Sequence, residues 1–523
     1  MSKLNKNSSM GTRLATVSIA AMLAVAFSST ASAQVGFANT NISELEPVNA
    51  PSTNDVVSAP NPAAFCNAAT PTGVNALQCG VGSDGQGTNA VALGNSSFAT
   101  DFAVAAGANA QAAGIGASAV GDGALAFDVA TAIGARSFAQ VAGTAVGVFA
   151  DASGVEAIAV GIEAIASGTS STSIGVVSVA AGEQSQAYGV LTETGAGATD
   201  SIAMGSFTTV NGANSIAIGD NITTSAANTV AIGSTAAAGA LNATAVGTGA
   251  NASAAQTTAI GSGASATADQ AQALGSMAIA DGAQATAVGL RARAAGSFST
   301  ATGTATALGN ASLASGYNAS ATSFLSTAVG FGSSALVTEA TALGARSLAN
   351  GVQSTALGAS ARASGSMGTA TGRSSSAGGA NSTATGHSAD ASGDNSTATG
   401  KAASAFGENS TALGRSASAS RNATAGGYES VASGSFSTAY GANSTSSGIG
   451  SSAFGSSSNA SGRRGTAIGN SSDASASDST AVGTGADASG EDSVAVGADS
   501  NATAENSTAL GSSATAARNS TAG

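Results

Sequence analysis

A short segment ending in Ala, a large apolar residue and Gly returns at almost every fourteenth position along this chain, as in Asn409-Ser-Thr-Ala-Leu-Gly414. Between Gly94 and Gly511, with Gly309 rather than Gly316 taken as a member, 31 glycines belong to the series. The residue two places earlier is Ala in 30 of them, Ser173 being the exception, and the residue just before is Ile, Val, Leu or Met in 22. A fixed short period with small residues in fixed slots is the mark of a solenoid, in which every turn of the chain repeats one supersecondary unit. The 523 residues therefore predict one long array rather than several globular domains.

Within a repeat a second glycine falls halfway, giving Gly358, Gly365 and Gly372, then Gly386, Gly393 and Gly400, then Gly483, Gly490 and Gly497. The half-period predicts two strands of about five residues joined by tight turns at these glycines, where a Cβ would forbid the backbone conformation. Strand alternation then assigns the faces. Ala389 and Ala391 flank Asp390, Ala361 and Ala363 flank Arg362, and Ala486 and Ala488 flank Asp487. The charged residue faces water, so the alanines face inward, and a roll two strands thick has room for little more than Ala and Ser. A chain with 71 Gly and no Trp suits burial by many thin layers.

By the same alternation Ser410 and Ala412 point inward, whereas Thr411 and Leu413 point out. The large apolar slot thus forms an outward ladder, including Ile218, Ile232, Val246, Ile260, Leu274, Val288, Leu343, Leu357, Leu413, Val482, Val496 and Leu510. Such a stripe far exceeds the apolar patch a monomer usually leaves wet. A cyclic trimer, three rolls sharing an apolar seam, would bury it and leave no further face open. In three successive repeats the slot holds Thr371, Thr385 and Thr399, which predicts a polar stretch of seam or mere tolerance of β-branched residues in strands.

The segments Asn214-Ser-Ile-Ala-Ile-Gly219, Asn409-Ser-Thr-Ala-Leu-Gly414 and Asn506-Ser-Thr-Ala-Leu-Gly511 resemble the head repeat of YadA-like trimeric autotransporter adhesins. The resemblance covers roughly residues 87 to 523. It implies an all-β, left-handed parallel β-roll assembled as a homotrimer, displayed on the outer membrane of a Gram-negative bacterium and attaching to host matrix, cells or abiotic surfaces. The neck, coiled-coil stalk and C-terminal β-anchor usual in such adhesins are not visible, and the chain stops within a repeat, which suggests a truncated product. Anchoring in the outer membrane is thus an expectation from the family alone.

Residues 1–33 carry Lys3, Lys6 and Arg13, an apolar run from Leu14 to Phe27, and Ala31-Ser32-Ala33. This is the layout of a secretory signal peptide, the apolar run being short for a membrane span. Residues 34–86 are expected to cap the first turn of the roll, since a bare first strand would template aggregation. Cys66 and Cys79, the only two cysteines, are expected to form a disulfide there in an oxidising compartment. Loss of the leader takes the formal charge from −13 to −16, which argues against a nucleic-acid partner.

Catalytic chemistry has little to build on. His387 is the sole histidine and follows a turn glycine. Strings such as Gly261-Ser-Gly263 come from the repeat and open no helix, so they are not a nucleotide fingerprint. Asp151, Asp390 and Asp487 lack a fixed ligand spacing, so neither cofactor nor metal is expected. Arg291, Arg293, Arg373, Lys401 and Arg415 are expected as solvated edge charges. Two alternatives to an adhesin are an ice-binding or other extracellular structural β-solenoid, suggested by Thr383 and Thr385, and a polysaccharide-cleaving β-helix enzyme. The even repeat leaves no room for the cleft that such an enzyme needs.

Overall fold

The computed structural model describes residues 73–523, which lie in one compact unit spanning Pro62–Gly523. The signal peptide, most of the expected cap and Cys66 lie outside the described residues. Sixty-five strands, from β1 (Leu77–Cys79) to β65 (Thr521–Ala522), follow one another with no helix among the described residues. Three-residue and two-residue strands alternate up to β64 (Thr515–Ala516), so each is shorter than the half-period suggests. The αL turns take up the rest of each coil.

The odd-numbered strands form one 33-stranded parallel sheet, about 150 Å long at the usual strand spacing. The even-numbered strands form an 11-stranded and a 21-stranded sheet behind it. Each strand pairs in register with its counterpart one coil later: Thr383 with Thr397, Ala384 with Ala398 and Thr385 with Thr399. Backbone bonds continue the ladder around the turns, as in Gly400 N–H to the Thr385 carbonyl at 2.8 Å and Ala402 N–H to the His387 carbonyl at 2.9 Å. Few backbone groups are left to water along the roll, which explains how strands this short persist. The stacked coils already begin at Leu77, ahead of the expected boundary at residue 87.

Alanine fills the interior on both sides, with Ala384, Ala389, Ala391, Ala398 and Ala412 among the fully buried residues. Asp390, Arg362 and Asp487 point outward between their buried alanines, as alternation requires. The serine of the Asn-Ser motif closes its turn from inside: the Ser382 hydroxyl donates to the Gly379 carbonyl and that of Ser410 to the Gly407 carbonyl, both at 2.6 Å.

Both kinds of turn glycine lie too close to the backbone of the next coil for a Cβ, and one kind has a second reason. Gly358, Gly386 and Gly483 have φ of 135°, 131° and 137°, where a side chain is strained. Gly365, Gly393 and Gly490 have no such φ; a Cβ there would collide with the backbone carbonyl of Gly379, Gly407 and Ala504 in the next coil. The turns also contain residues at φ near +55°, and the motif asparagines Asn214, Asn409 and Asn506 occupy this place. Asparagine tolerates it better than most residues.

The phase of the repeat differs from the sequence reading at one point. Gly316, with φ of 125°, ends β35 (Leu313–Ser315), while Gly309 follows β34 (Thr306–Ala307) on the opposite sheet. The turn at Gly303 has lost its αL residue, so this coil is one position short, and Ala307-Leu308-Gly309 only imitates the end of a three-residue strand.

The interior widens between residues 192 and 229, where the largest fully buried side chains gather: Thr192, Thr194, Thr208, Val210, Ile222 and Thr224 among them. The coil from Gly189 to Gly205 is two positions longer than the usual repeat. Ile222 and Thr224 are followed one coil later by Ala236 and Ala238, and there the second sheet breaks, between β22 (Thr223–Thr224) and β24 (Ala237–Ala238). A wide coil stacked on a narrow one cannot keep both ladders in register.

Candidate interaction surface

The outer face of the long sheet carries the apolar ladder. Ile260, Val288, Leu343, Leu357, Leu413, Val496 and Leu510 are exposed on it, and Ile218, Ile232, Val246, Leu274 and Val482 are half-buried against neighbouring rungs. Polar residues interrupt the ladder in two places. Thr371, Thr385 and Thr399 stack in register beside Thr369, Thr383 and Thr397. A second gap at Thr302 and Ser315, whose hydroxyls bond at 2.7 Å, was hidden in the sequence by the phase slip at Gly309. Further along, Gly426 leaves room for the Tyr440 ring, which a Cβ at that position would meet at 2.5 Å.

Along the edges, the αL turn positions stack coil upon coil. In one stretch they build an asparagine ladder, with Asn381 donating to Asn395, Asn395 to Asn409 and Asn409 to Asn422 at 3.1–3.2 Å. The sequence offered a signal for it in the recurrence of Asn at one phase. Elsewhere the αL positions hold bulky apolar side chains such as Phe102, Val129, Phe149, Phe207 and Phe298, each of them exposed. Large residues at positive φ are unusual and are worth relating to function.

Charged groups occupy the edges and the second face. Asp478 accepts from the Arg464 guanidinium at 2.6 and 2.7 Å, with Arg463 at 3.7 Å, and the hydrogen bond from Arg464 holds its carboxyl below the usual aspartate range. Arg293 lies in a strand rather than a turn and reaches Asp281 at 3.7 Å. Arg415 lies over the Tyr428 ring. His387 is exposed in its turn, with Nδ1 3.3 Å from the Ser388 hydroxyl. Among the described residues no three acidic, histidine or cysteine side chains converge on a common point. Cys79, at the end of β1, is disulfide-bonded.

Asp473 and Asp487 stack directly on the second face. Partial burial pushes the Asp473 carboxyl above its ordinary value of 3.8, the Asp487 charge adds to this, and a hydrogen bond from Asn459 opposes it. A raised folded pKa gives a contribution that is complete below the unfolded value and is lost as pH rises through the folded one. Asp473→Asn is therefore expected to stabilise the C-terminal coils at pH 7 by less than about 1 kcal/mol, the size of a like-charge cross-strand pair. The gain should vanish near pH 3, where the wild-type carboxyl is itself neutral. Hydrogen exchange at both pH values tests this, and a gain that does not change with pH would exclude the Asp473–Asp487 repulsion as its source.

Parallel coils in register, an alanine interior and one long apolar outer ladder define a β-solenoid whose repeat is set by its turns. The family model described as YadA head domain repeat (2 copies) matches residues 86–101, 141–176, 196–221, 225–264, 266–305, 321–372, 391–417, 419–444 and 446–522. The chain belongs to the YadA head family, a family of structural adhesins. No curated relative matches it. The unmatched intervals include the start of the long coil at Gly189, the phase slip and the turns after Thr371 and Thr385, yet strands stack through all of them.

Proposed function

We propose that this chain is the head of a cell-surface adhesin, exported by residues 1–33, that works as a rigid homotrimeric rod. The carrying observation is the outward ladder from Leu93 to Leu510, a face that three rolls could share as a seam; trimers are the rule in this family. Residues 34–86, whose last part from Leu77 on already forms the first coil, would cap one end, with a Cys66–Cys79 disulfide. Display would be on the outer membrane of a Gram-negative cell. Attachment to matrix, cells or abiotic surfaces would come from many weak contacts repeated over three chains.

The test is the solution mass of residues 34–523 by sedimentation, together with adhesion of beads coated with the same protein. A trimer whose beads adhere is the expected result; a stable, soluble monomer would overturn the seam. A second reading, ice binding, rests on the array of Thr369, Thr371, Thr383, Thr385, Thr397 and Thr399. Leu357 and Leu413 bound this array on either side, so it is small. Thermal hysteresis at millimolar protein would support ice binding, and its absence would dispose of it.

A further inference from the structure

Charge is distributed unevenly along the roll. Residues 73–290 contain thirteen Asp and Glu but a single base, Arg136, whereas residues 291–523 contain twelve acids and eleven bases. The acidic half also carries an apolar edge. On one side of the roll, Val148, Ile162, Val176, Leu191 and Phe207 stand exposed on successive turns. A surface that is acidic and apolar together fits a partner that is basic and apolar together.

One cavity lies on this edge, about 340 Å³ in volume and lined by Phe149, Asp151, Glu163 and Ile165. Asp151 points outward from β12 (Asp151–Ala152), between Phe138 one coil before and Ile165 one coil after. Its Oδ1 is buried with no hydrogen-bond partner, a costly state for a carboxylate oxygen. Phe149 and Glu163 both hold αL positions, at φ of 57° and 56°. Arg136 spends its guanidinium on the Phe149 ring, 5.6 Å from the centroid, and among the described residues neither carboxylate has an ion-pair partner. Two carboxylates with apolar walls are too few oxygens for a hard metal ion. They suit a side chain with an apolar stem and a cationic head: the stem against Phe149 and Ile165, the head between Asp151 and Glu163.

We infer that the N-terminal half of the roll is a docking surface for a basic protein segment, and that this cavity seats one of its lysine or arginine side chains. The inference rests on the adhesin reading and names the chemistry of its partner.

The test uses residues 34–523 and a fluorescein-labelled peptide of alternating arginine and leucine, followed by anisotropy at fixed salt. The double variant Asp151→Asn, Glu163→Gln is compared with Glu491→Gln, Glu505→Gln, which removes the same charge from the other half. Circular dichroism checks that both keep the wild-type fold, as outward side chains should allow. The first double is expected to weaken binding by about tenfold or more, as loss of a desolvated charge partner does, and the second by less than about twofold. No binding by wild type, or equal loss in both doubles, overturns the site. Equal binding of a leucine–glutamate peptide, or of phosphatidylcholine vesicles, by wild type and the first double would make the partner an apolar or lipid surface and overturn it too. Coated beads separate the two levels: beads that adhere equally well with the first double refute this site alone, whereas wild-type beads that adhere to nothing refute the adhesin reading itself.

Discussion

Leucine in place of Ala384 is expected to force the roll open at that coil. Ala384 is fully buried at the centre of β45 (Thr383–Thr385), with Ala370 and Ala398 beside it in the ladder and Ala389 and Ala391 among the inward residues of the same coil. Overpacking an ordinary core costs about 1–3 kcal/mol because neighbours can shift. Here the neighbours are alanines held by backbone on both sides, so the upper end of that range, about 3 kcal/mol, is expected. Hydrogen exchange should show amides of the adjoining coils losing protection while those of the first and last coils keep theirs. The segment around Ile222 shows the natural counterpart: larger interior residues coincide with a longer coil upstream and end in a broken second sheet. Unchanged protection around residue 384 would mean that the interior has slack which its lining of small residues conceals.

Aspartate at Ile260 is expected to take the proposed trimer apart. If the ladder is a seam, each trimer would gather three carboxylates at one level, with apolar rungs at Val246 and Leu274 before and after. Desolvating such charges costs several kcal/mol apiece, enough to shift a trimer to monomers at micromolar concentration. Thr385→Asp should do less, because its neighbours Thr371 and Thr399 already make that level polar. Sedimentation of the two variants ranks them. Wild-type mass for Ile260→Asp, with the fold intact, would place the shared face elsewhere.

Most of this architecture was legible in the sequence because the chain says the same thing so many times. Alternation around Asp390, Arg362 and Asp487 assigned the inner and outer faces without further help. What stayed hidden depends on backbone geometry. At Ala307-Leu308-Gly309 the three-residue signature appears on the wrong sheet, and only the loss of one turn residue after Gly303 reveals it. Gly393 and Gly386 look alike in the sequence and both face the backbone of the next coil too closely for a Cβ, yet only Gly386 also has a φ that a side chain would strain. The cavity by Phe149 was not legible, because its residues come from different coils and carry no motif. Its signal was the charge imbalance between the two halves, which a count of acids and bases along the chain exposes.

Short, regular and long coils share the ladder of the long sheet here, with every excess or deficit in length absorbed in a turn; only the second sheet breaks, once, behind the widened coils. Because each coil touches only the ones before and after it, whole coils can be duplicated or deleted without disturbing the rest. The distance such a protein spans is then a quantity that recombination can adjust in steps of about 4.8 Å, independently of the chemistry at any one level.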